Sequence, residues 1–302
     1  MNSKLVEQQL SWLAPIEVKC RRVVLELSQR RNAQDWNLST LRGVWGAALR
    51  FLDETIYQRV FDGVGDPSRR QPLYAFRMDL DPYGSAFSGL NSEWEIPLQW
   101  LTFNVPSPYD LVLEMAWRRA GQAGIGSHRN PFEAKIELIP AASGSLNRVE
   151  WFFETPETPV RCVFPQSVSL TKNGNNNSAP SFTDIIIALL NRLGALRSVA
   201  LCEDIETFRF PLRNDETWPE FAQSLLELAK SLPQTPWKGQ RQDLERYSGR
   251  QKRVVKVQSV AGYIELPDGV GDLWPILTAS NWTQIGKSTV QGMGRPFFLE
   301  MG

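Results

Sequence analysis

Ile285-Gly-Lys-Ser-Thr-Val-Gln-Gly-Met-Gly-Arg-Pro-Phe-Phe-Leu-Glu300 closes the chain with three glycines set among basic and hydroxyl residues, then an apolar strand. Glycine allows the left-handed backbone and close approach of a neighbour. Successive N–H groups in such a loop form an anion-binding concavity, and Lys287 and Arg295 add charge. Gly286, Lys287, Ser288, Thr289, Gly292, Gly294 and Arg295 are therefore the candidate phosphate ligands. The plainer reading is a packing turn whose glycines only permit close contact.

Working outward, the same order of elements occurs twice. A strand, a helix, Gly124-Ile-Gly126 and an apolar strand end the first half. A strand (Lys252 to Ile264), a helix (Asp272 to Thr278), Gly292-Met-Gly294 and an apolar strand end the second. Each half also opens with a strand and then a capped helix, so the chain reads as a degenerate internal repeat. The order βαββαβ is the ferredoxin-like pattern. The expected architecture is α+β, with two tandem ferredoxin-like (RRM-like) domains, residues 1–153 and 160–302, the second ending in the glycine-rich loop.

In the first half, Pro15 to Leu27 reads as a strand, and Ser39 as the N-cap of a helix burying Leu41, Val44, Ala48, Leu52 and Ile56. Residues 62–92 are rich in Gly, Pro, Asp and Ser and read as a long irregular excursion. Strands follow at Trp100 to Val105, Phe132 to Ile139 and Asn147 to Phe153, with a short helix from Pro108 to Ala120. In the second half, Val160 to Leu170 is a strand, Ser181 and Asp184 form a capping box, and another helix starts near Thr217.

Composition narrows the class. A hydrophobic share of 42% and a charged share of 22% belong to a globular protein with real cores. No apolar run reaches the length of a membrane span, and the N-terminus carries no signal segment. Cys20, Cys162 and Cys202 lie far apart and odd in number, which suits a reducing cytoplasm. With His128 the only histidine, a histidine-rich metal site is excluded. The net charge is zero, which counts against a nucleic-acid binder unless charge is concentrated locally.

Local concentration is what the sequence shows. Arg246, Arg250, Lys252, Arg253 and Lys256 fall within eleven residues, and on one strand Lys252, Val254, Lys256 and Gln258 would share a face. These side chains are candidate backbone contacts for a nucleic acid. Tyr247 sits among them, able to stack on a base or donate a proton.

Four segments carry a family resemblance. They are Leu41-Arg-Gly-Val-Trp-Gly-Ala-Ala-Leu-Arg50, Ala120-Gly-Gln-Ala-Gly-Ile-Gly-Ser-His-Arg129, Glu245-Arg-Tyr-Ser-Gly-Arg-Gln-Lys-Arg253 and Gly286-Lys-Ser-Thr-Val-Gln-Gly-Met-Gly-Arg295. In this order they resemble the CRISPR-associated endoribonucleases that process precursor CRISPR RNA, members of the RAMP (repeat-associated mysterious protein) superfamily. The resemblance implies two ferredoxin-like domains with RNA lying across their cleft and sheet faces. It implies metal-independent cleavage of a repeat RNA by 2′-hydroxyl attack, giving a 2′,3′-cyclic phosphate, with no cofactor. Other subunits of a CRISPR effector complex are implied partners. The alternative is a non-catalytic RAMP subunit that binds or caps the CRISPR RNA.

Such a family places a histidine on or near the first helix, yet Ser39 to Arg59 contains none. Arg42 and Arg50 occupy the matching region, about two turns apart and expected on one face. Arginine cannot act as a base near neutrality, but it can orient a phosphate and stabilise its developing charge. His128 is the one side chain whose ordinary pKa suits acid–base work. Arg42, Arg50, His128 and Tyr247 are thus the catalytic candidates.

Overall fold

The computed structural model describes residues 3–29, 38–63, 71–77, 94–126, 128–148, 159–172, 174–202, 218–248, 253–287, 289 and 292–301. Helix α1 (Ser3–Leu13) precedes the first domain, an element that the reading of the sequence leaves out. Strand β1 (Glu17–Leu27) and helix α2 (Leu38–Leu52) follow. One turn, α3 (Glu54–Ile56), then runs into a π-helical Tyr57–Phe61. Strands β2 (Tyr74–Arg77) and β3 (Glu95–Phe103), helix α4 (Ser107–Ala123), strand β4 (Phe132–Leu138) and the two-residue β5 (Gly144–Ser145) complete the domain. Strand order β2-β3-β1-β4, all antiparallel, is the ferredoxin-like topology.

The second domain repeats it. Strand β6 (Val160–Val168), a small hairpin β7 (Thr171–Lys172) and β8 (Asn175–Asn176), and helices α5 (Phe182–Ala200) and α6 (Trp218–Ser231) come first. Strand β9 (Lys238–Arg241), the hairpin β10 (Leu244–Ser248) and β11 (Arg253–Val257), β12 (Val260–Leu266), α7 (Trp274–Thr283) and β13 (Phe297–Glu300) follow. Its sheet order is β13-β6-β12-β9, the same permutation as the first. The internal repeat therefore has a physical counterpart.

Three expectations need correction. Helix α2 starts at Leu38, so Ser39 lies within its first turn rather than at the cap. The irregular excursion contains β2, whose Tyr-Ala-Phe-Arg is buried throughout and pairs with β3. The single strand from Lys252 to Ile264 is two strands in different sheets, separated at Gln258 and Ser259. Ser259 accepts from the Gln242 N–H at 2.8 Å, which turns the chain out of the hairpin and into the main sheet. The strand expected at Asn147 to Phe153 falls mostly outside the described residues, which end at Arg148 in that region.

An aromatic cluster fills the first domain between its helices and sheet. Trp45 meets Phe61, Tyr74, Phe76, Trp100 and Trp117 at ring separations of 5.0–5.9 Å. Much of the tryptophan content is thus core. Beneath the same helices, buried Arg21 reaches Asp110 at 2.8 Å and lies over Trp100.

The other face of the first sheet is covered over part of its area. Val18, Cys20, Ala75, Leu101 and Phe103 share that face by register and are buried. Helices of the second domain cover it. Asn104 donates to Leu196 O at 2.8 Å, Arg77 donates to Asn281 O at 3.1 Å, and Arg192 lies over Phe103. The layers run α2/α4, first sheet, α5/α7, second sheet. RNA cannot lie across this part of the first sheet, whereas the second sheet keeps an open face.

Capping box Ser181/Asp184 is present as the sequence suggests. Burial alone would raise the Asp184 carboxyl, but the Ser181 N–H and hydroxyl, Lys172 and Asn177 all bind its charged form and hold it below the ordinary aspartate range. A depressed carboxyl stabilises above its unfolded pKa, and that stability is lost as pH falls through the folded one. Melting between pH 5 and pH 2 should therefore fall less steeply in Asp184→Asn than in the parent. Glycines of α2 give a second test. Gly43 has open space where a Cβ would stand, whereas a Cβ at Gly46 would meet the Phe61 ring. Gly43→Ala should stabilise by about 0.5–1 kcal/mol, and Gly46→Ala should destabilise by about 1–3 kcal/mol, both read from urea denaturation.

Candidate RNA interface

The glycine loop after α7 is built by contacts with both domains. Helix α7 ends in exposed-type carbonyls that need donors. Two arginines from elsewhere supply them: Arg77 of β2 to Asn281 O at 3.1 Å, and Arg192 of α5 to Thr283 O at 3.4 Å. Arg192 also donates to Pro72 O at 2.8 Å and to Gln71 Oε1 at 3.3 Å, just before β2. Its guanidinium is wholly buried, and burial pushes its pKa down to about 9, so it still carries its charge at neutral pH. Gln284 turns the chain with φ 56° and donates to Phe76 O at 3.1 Å. A helix end in one domain is thus fastened to an edge strand of the other.

Beyond that fastening the loop folds onto strand β6. Ile285 N–H donates to Gly294 O at 2.9 Å, Lys287 N–H to Ser169 O at 2.8 Å, and Gly294 N–H to Ser167 O at 2.9 Å. Gly286, Gly292 and Gly294 have φ of 83°, 79° and 79°, as the sequence predicts for left-handed turns. Gly292, Met293 and Gly294 are buried, and a Cβ on Gly292 would meet the side chain of Leu38 at the start of α2. Several of the loop's N–H groups are therefore spent on packing rather than held out for an anion. Thr289 is buried, Lys287 is exposed, and Arg295 lies 4.7 Å over the Phe297 ring. Ser288 lies outside the described residues.

The basic hairpin stands nearby. Strand β10 lies against α2, so three of the four motif segments meet around the first helix. Within the hairpin Arg246 is opposite Val255, Tyr247 opposite Val254 and Arg253 opposite Ser248. Lys256 is exposed and 3.3 Å from Asp243, which also holds Arg241. Arg250 and Lys252 lie outside the described residues. Lys256 and Gln258 do not share a face of one strand, because the ladder ends at Val257.

Catalytic candidates on α2 diverge. Eight residues advance the helix about 80° beyond two turns, so Arg42 and Arg50 do not line one edge. Arg42 is half-buried, donating to the Tyr74 hydroxyl at 3.0 Å and lying 4.2 Å over Phe61. Arg50 is exposed and pairs with Glu54 at 2.7 Å, which raises its pKa further. His128 is exposed in the turn closed by the Ile125–Asn130 bridge. Asn130 ties that turn to Gln29 at the end of β1 through paired amide contacts of 3.0 and 3.2 Å. Among the described residues no group of His, Cys, Asp and Glu could hold a metal ion, and no helix is long and apolar enough to cross a membrane.

The fold is a pair of ferredoxin-like domains, the second with a glycine loop lodged against the helix of the first. Residues 156–296, nearly all of the second domain, match the family of CRISPR-associated endoribonuclease Cas6. A Cas6 product complex is similar over 93% of this chain and 100% of its own, with TM-score 0.56 and 14% identity. Thermus thermophilus Cas6 covers 94% of this chain and 99% of its own, with TM-score 0.54 and 10% identity. A partial Cas6-RT-Cas1–Cas2 complex covers 95% of this chain and 46% of its own, with TM-score 0.52 and 10% identity. At such identities the likeness is one of fold. No curated protein sequence matches the chain significantly. The second half of the chain thus resembles the Cas6 family, and the chain as a whole shares the fold of Cas6 structures.

Loop packing can be tested by its glycines. A Cβ on Gly294 would meet the backbone oxygen of Ile285, which cannot swing away, whereas one on Gly292 meets a movable leucine end. Gly294→Ala should cost about 3 kcal/mol or more. Gly292→Ala should cost about 1–2 kcal/mol, part of it recovered in the Gly292→Ala/Leu38→Ala double variant. A stability cycle by denaturant titration reads both.

Proposed function

We propose that the chain cleaves the repeat RNA of precursor CRISPR RNA without a metal, by attack of a ribose 2′-hydroxyl on the adjacent phosphate. The reading rests on one observation above the others: α2, the basic hairpin and the second glycine loop converge in space. Attack of this kind leaves a 2′,3′-cyclic phosphate and a 5′-hydroxyl. It needs in-line alignment of two oxygens, charge stabilisation on the phosphorus and proton transfer, and none of these requires a cofactor. The basic hairpin and Lys287 hold the RNA backbone, with Arg295 at the loop's exit. One of the diverging pair Arg42 and Arg50 stabilises the phosphate, and His128 supplies the proton transfer.

Partners follow from the same reading. Proteins of similar fold include a Cas6 product complex and a partial Cas6-RT-Cas1–Cas2 complex. The proposed partners are repeat RNA and other CRISPR proteins, and the place of action is the cytoplasm. One observation favours the binding-only alternative. The described residues of α2 hold no histidine, and Arg42 and Arg50 are engaged by Tyr74 and Glu54. Under that reading the chain holds the CRISPR RNA after another nuclease has cut it.

A single-turnover assay with cognate repeat RNA in EDTA separates the two. Cleavage with a cyclic phosphate end is expected, and strict dependence on Mg²⁺ removes the mechanism. His128→Ala should slow cleavage about 10²-fold or more while repeat affinity holds; an unchanged rate dismisses histidine and leaves the arginines. Tight binding with no cleavage by excess protein selects the binding-only reading.

A further inference from the structure

The second sheet has an open face that the sequence motifs do not mark. Residues directly opposed on antiparallel strands project from the same side. Val163 is opposite Tyr263 on one side and Phe297 on the other, and Arg161 is opposite Glu265 and Leu299. Lys238 is opposite Tyr263 on the far strand. The face therefore presents Phe297, Val163 and Tyr263 in a row, all partly exposed. The alternate residues, Cys162, Phe164 and Ile264, are buried towards the helices.

Cations surround the rings. The Arg161 guanidinium lies 4.4 Å over Tyr263, the Lys238 ammonium 5.7 Å over it, and Arg295 4.7 Å over Phe297. Arg161 and Lys238 remain 38% and 50% exposed while each reaches the same carboxylate, Glu265, at 2.7 Å. Arg161 and Lys238 against the single Glu265 leave that part of the face positive. The face is also continuous with the proposed cleavage site, because Arg295 and Phe297 follow the glycine loop directly.

We propose that this face is a stacking platform for single-stranded RNA, Tyr263 and Phe297 each taking a base while Arg161, Lys238 and Arg295 meet the backbone. Adjacent strands stand about 4.8 Å apart, so the two rings are separated by about 10 Å. Four-stranded sheets of this topology recognise unpaired bases through aromatic side chains on the open face. Charge and ring spacing suit an unpaired strand better than a protein, for which a face this positive and narrow is a poor match. The first sheet cannot serve in the same way, since its equivalent face is buried at Cys20, Leu101 and Phe103 and acidic where it is open, at Glu26, Glu95 and Glu133. Glu265 is the restraint on the platform: it occupies two of the cations that phosphates would use.

This proposal rests on the RNA-processing reading, and the experiment separates the two. Binding of a single-stranded oligouridine and cleavage of cognate repeat RNA are measured side by side. Tyr263→Ala/Phe297→Ala should weaken oligouridine binding about tenfold or more, with melting within a few degrees of the parent. Tyr263→Phe should keep full affinity, because stacking needs the ring and not the hydroxyl. Glu265→Gln should bind several times more tightly, a gain that mere loss of structure would not give. Unchanged oligouridine affinity in the double alanine variant, in a chain that still cleaves repeat RNA, overturns the platform alone. A parent chain that neither cleaves repeat RNA nor binds the oligonucleotide overturns both.

Discussion

Arg192 is the contact on which the two-domain arrangement depends. A buried guanidinium is costly unless its N–H groups are satisfied. Here carbonyl and amide oxygens, not a carboxylate, satisfy it: Pro72 O and Gln71 Oε1 before β2, and Thr283 O at the end of α7. Its Nη2 has no hydrogen-bond partner among the described residues. Neutral acceptors leave the cation uncompensated, so it has a net interaction with the negative end of α7. Loss of the domain contact would strip the guanidinium of Pro72 O and Gln71 Oε1 and take Arg77 away from Asn281 O. One residue on α5 thereby fixes where the first domain's edge strand meets the second domain's glycine loop.

The consequence for function is indirect but specific. Gln284 and Arg77 add further bonds between the same two elements, and Gly292 then rests on Leu38. The loop's place beside α2 is set by interdomain packing rather than by its own flexibility. Its glycines serve that packing, as their backbone neighbours Ile285, Ser169 and Ser167 make plain. A phosphate meeting this region would find the loop backbone already placed, so little ordering entropy would be spent there on binding.

How far the sequence disclosed this depends on range. The repeat of strand, helix and glycine pair was legible because it is local, and so was the capping box of α5. Strand β2 was not, since four residues among Gly, Pro and Asp carry no periodicity. The break at Ser259 was hidden because Arg-Val-Val-Lys-Val-Gln-Ser-Val reads as one β-rich run, and only the Gln242 contact across the hairpin divides it. One missed signal was present. Trp100-Leu-Thr-Phe103 is apolar at three of four positions without clean alternation, the mark of a strand buried on both faces. Read that way, it announces that a second layer covers the first sheet. Arg192 and Tyr263 gave no signal, since their meaning comes from partners far off in the chain.

Charge sorting reconciles the neutral total with the proposed RNA partner. On the uncovered edge of the first sheet, Glu26, Glu95, Glu133 and Glu137 outnumber Arg22 and Lys135. Glu26 stands directly opposite both Glu95 and Glu133, with Lys135 paired to it as partial compensation. Phosphates are repelled there. The second sheet and the hairpin carry the opposite balance. Fields of exposed charges decay within about 8–10 Å in physiological salt, so an RNA strand responds to the patch beneath it and not to the sum over the chain. Neutrality here is the cancellation of two surfaces, and it leaves one side of the molecule on which the proposed RNA would lie.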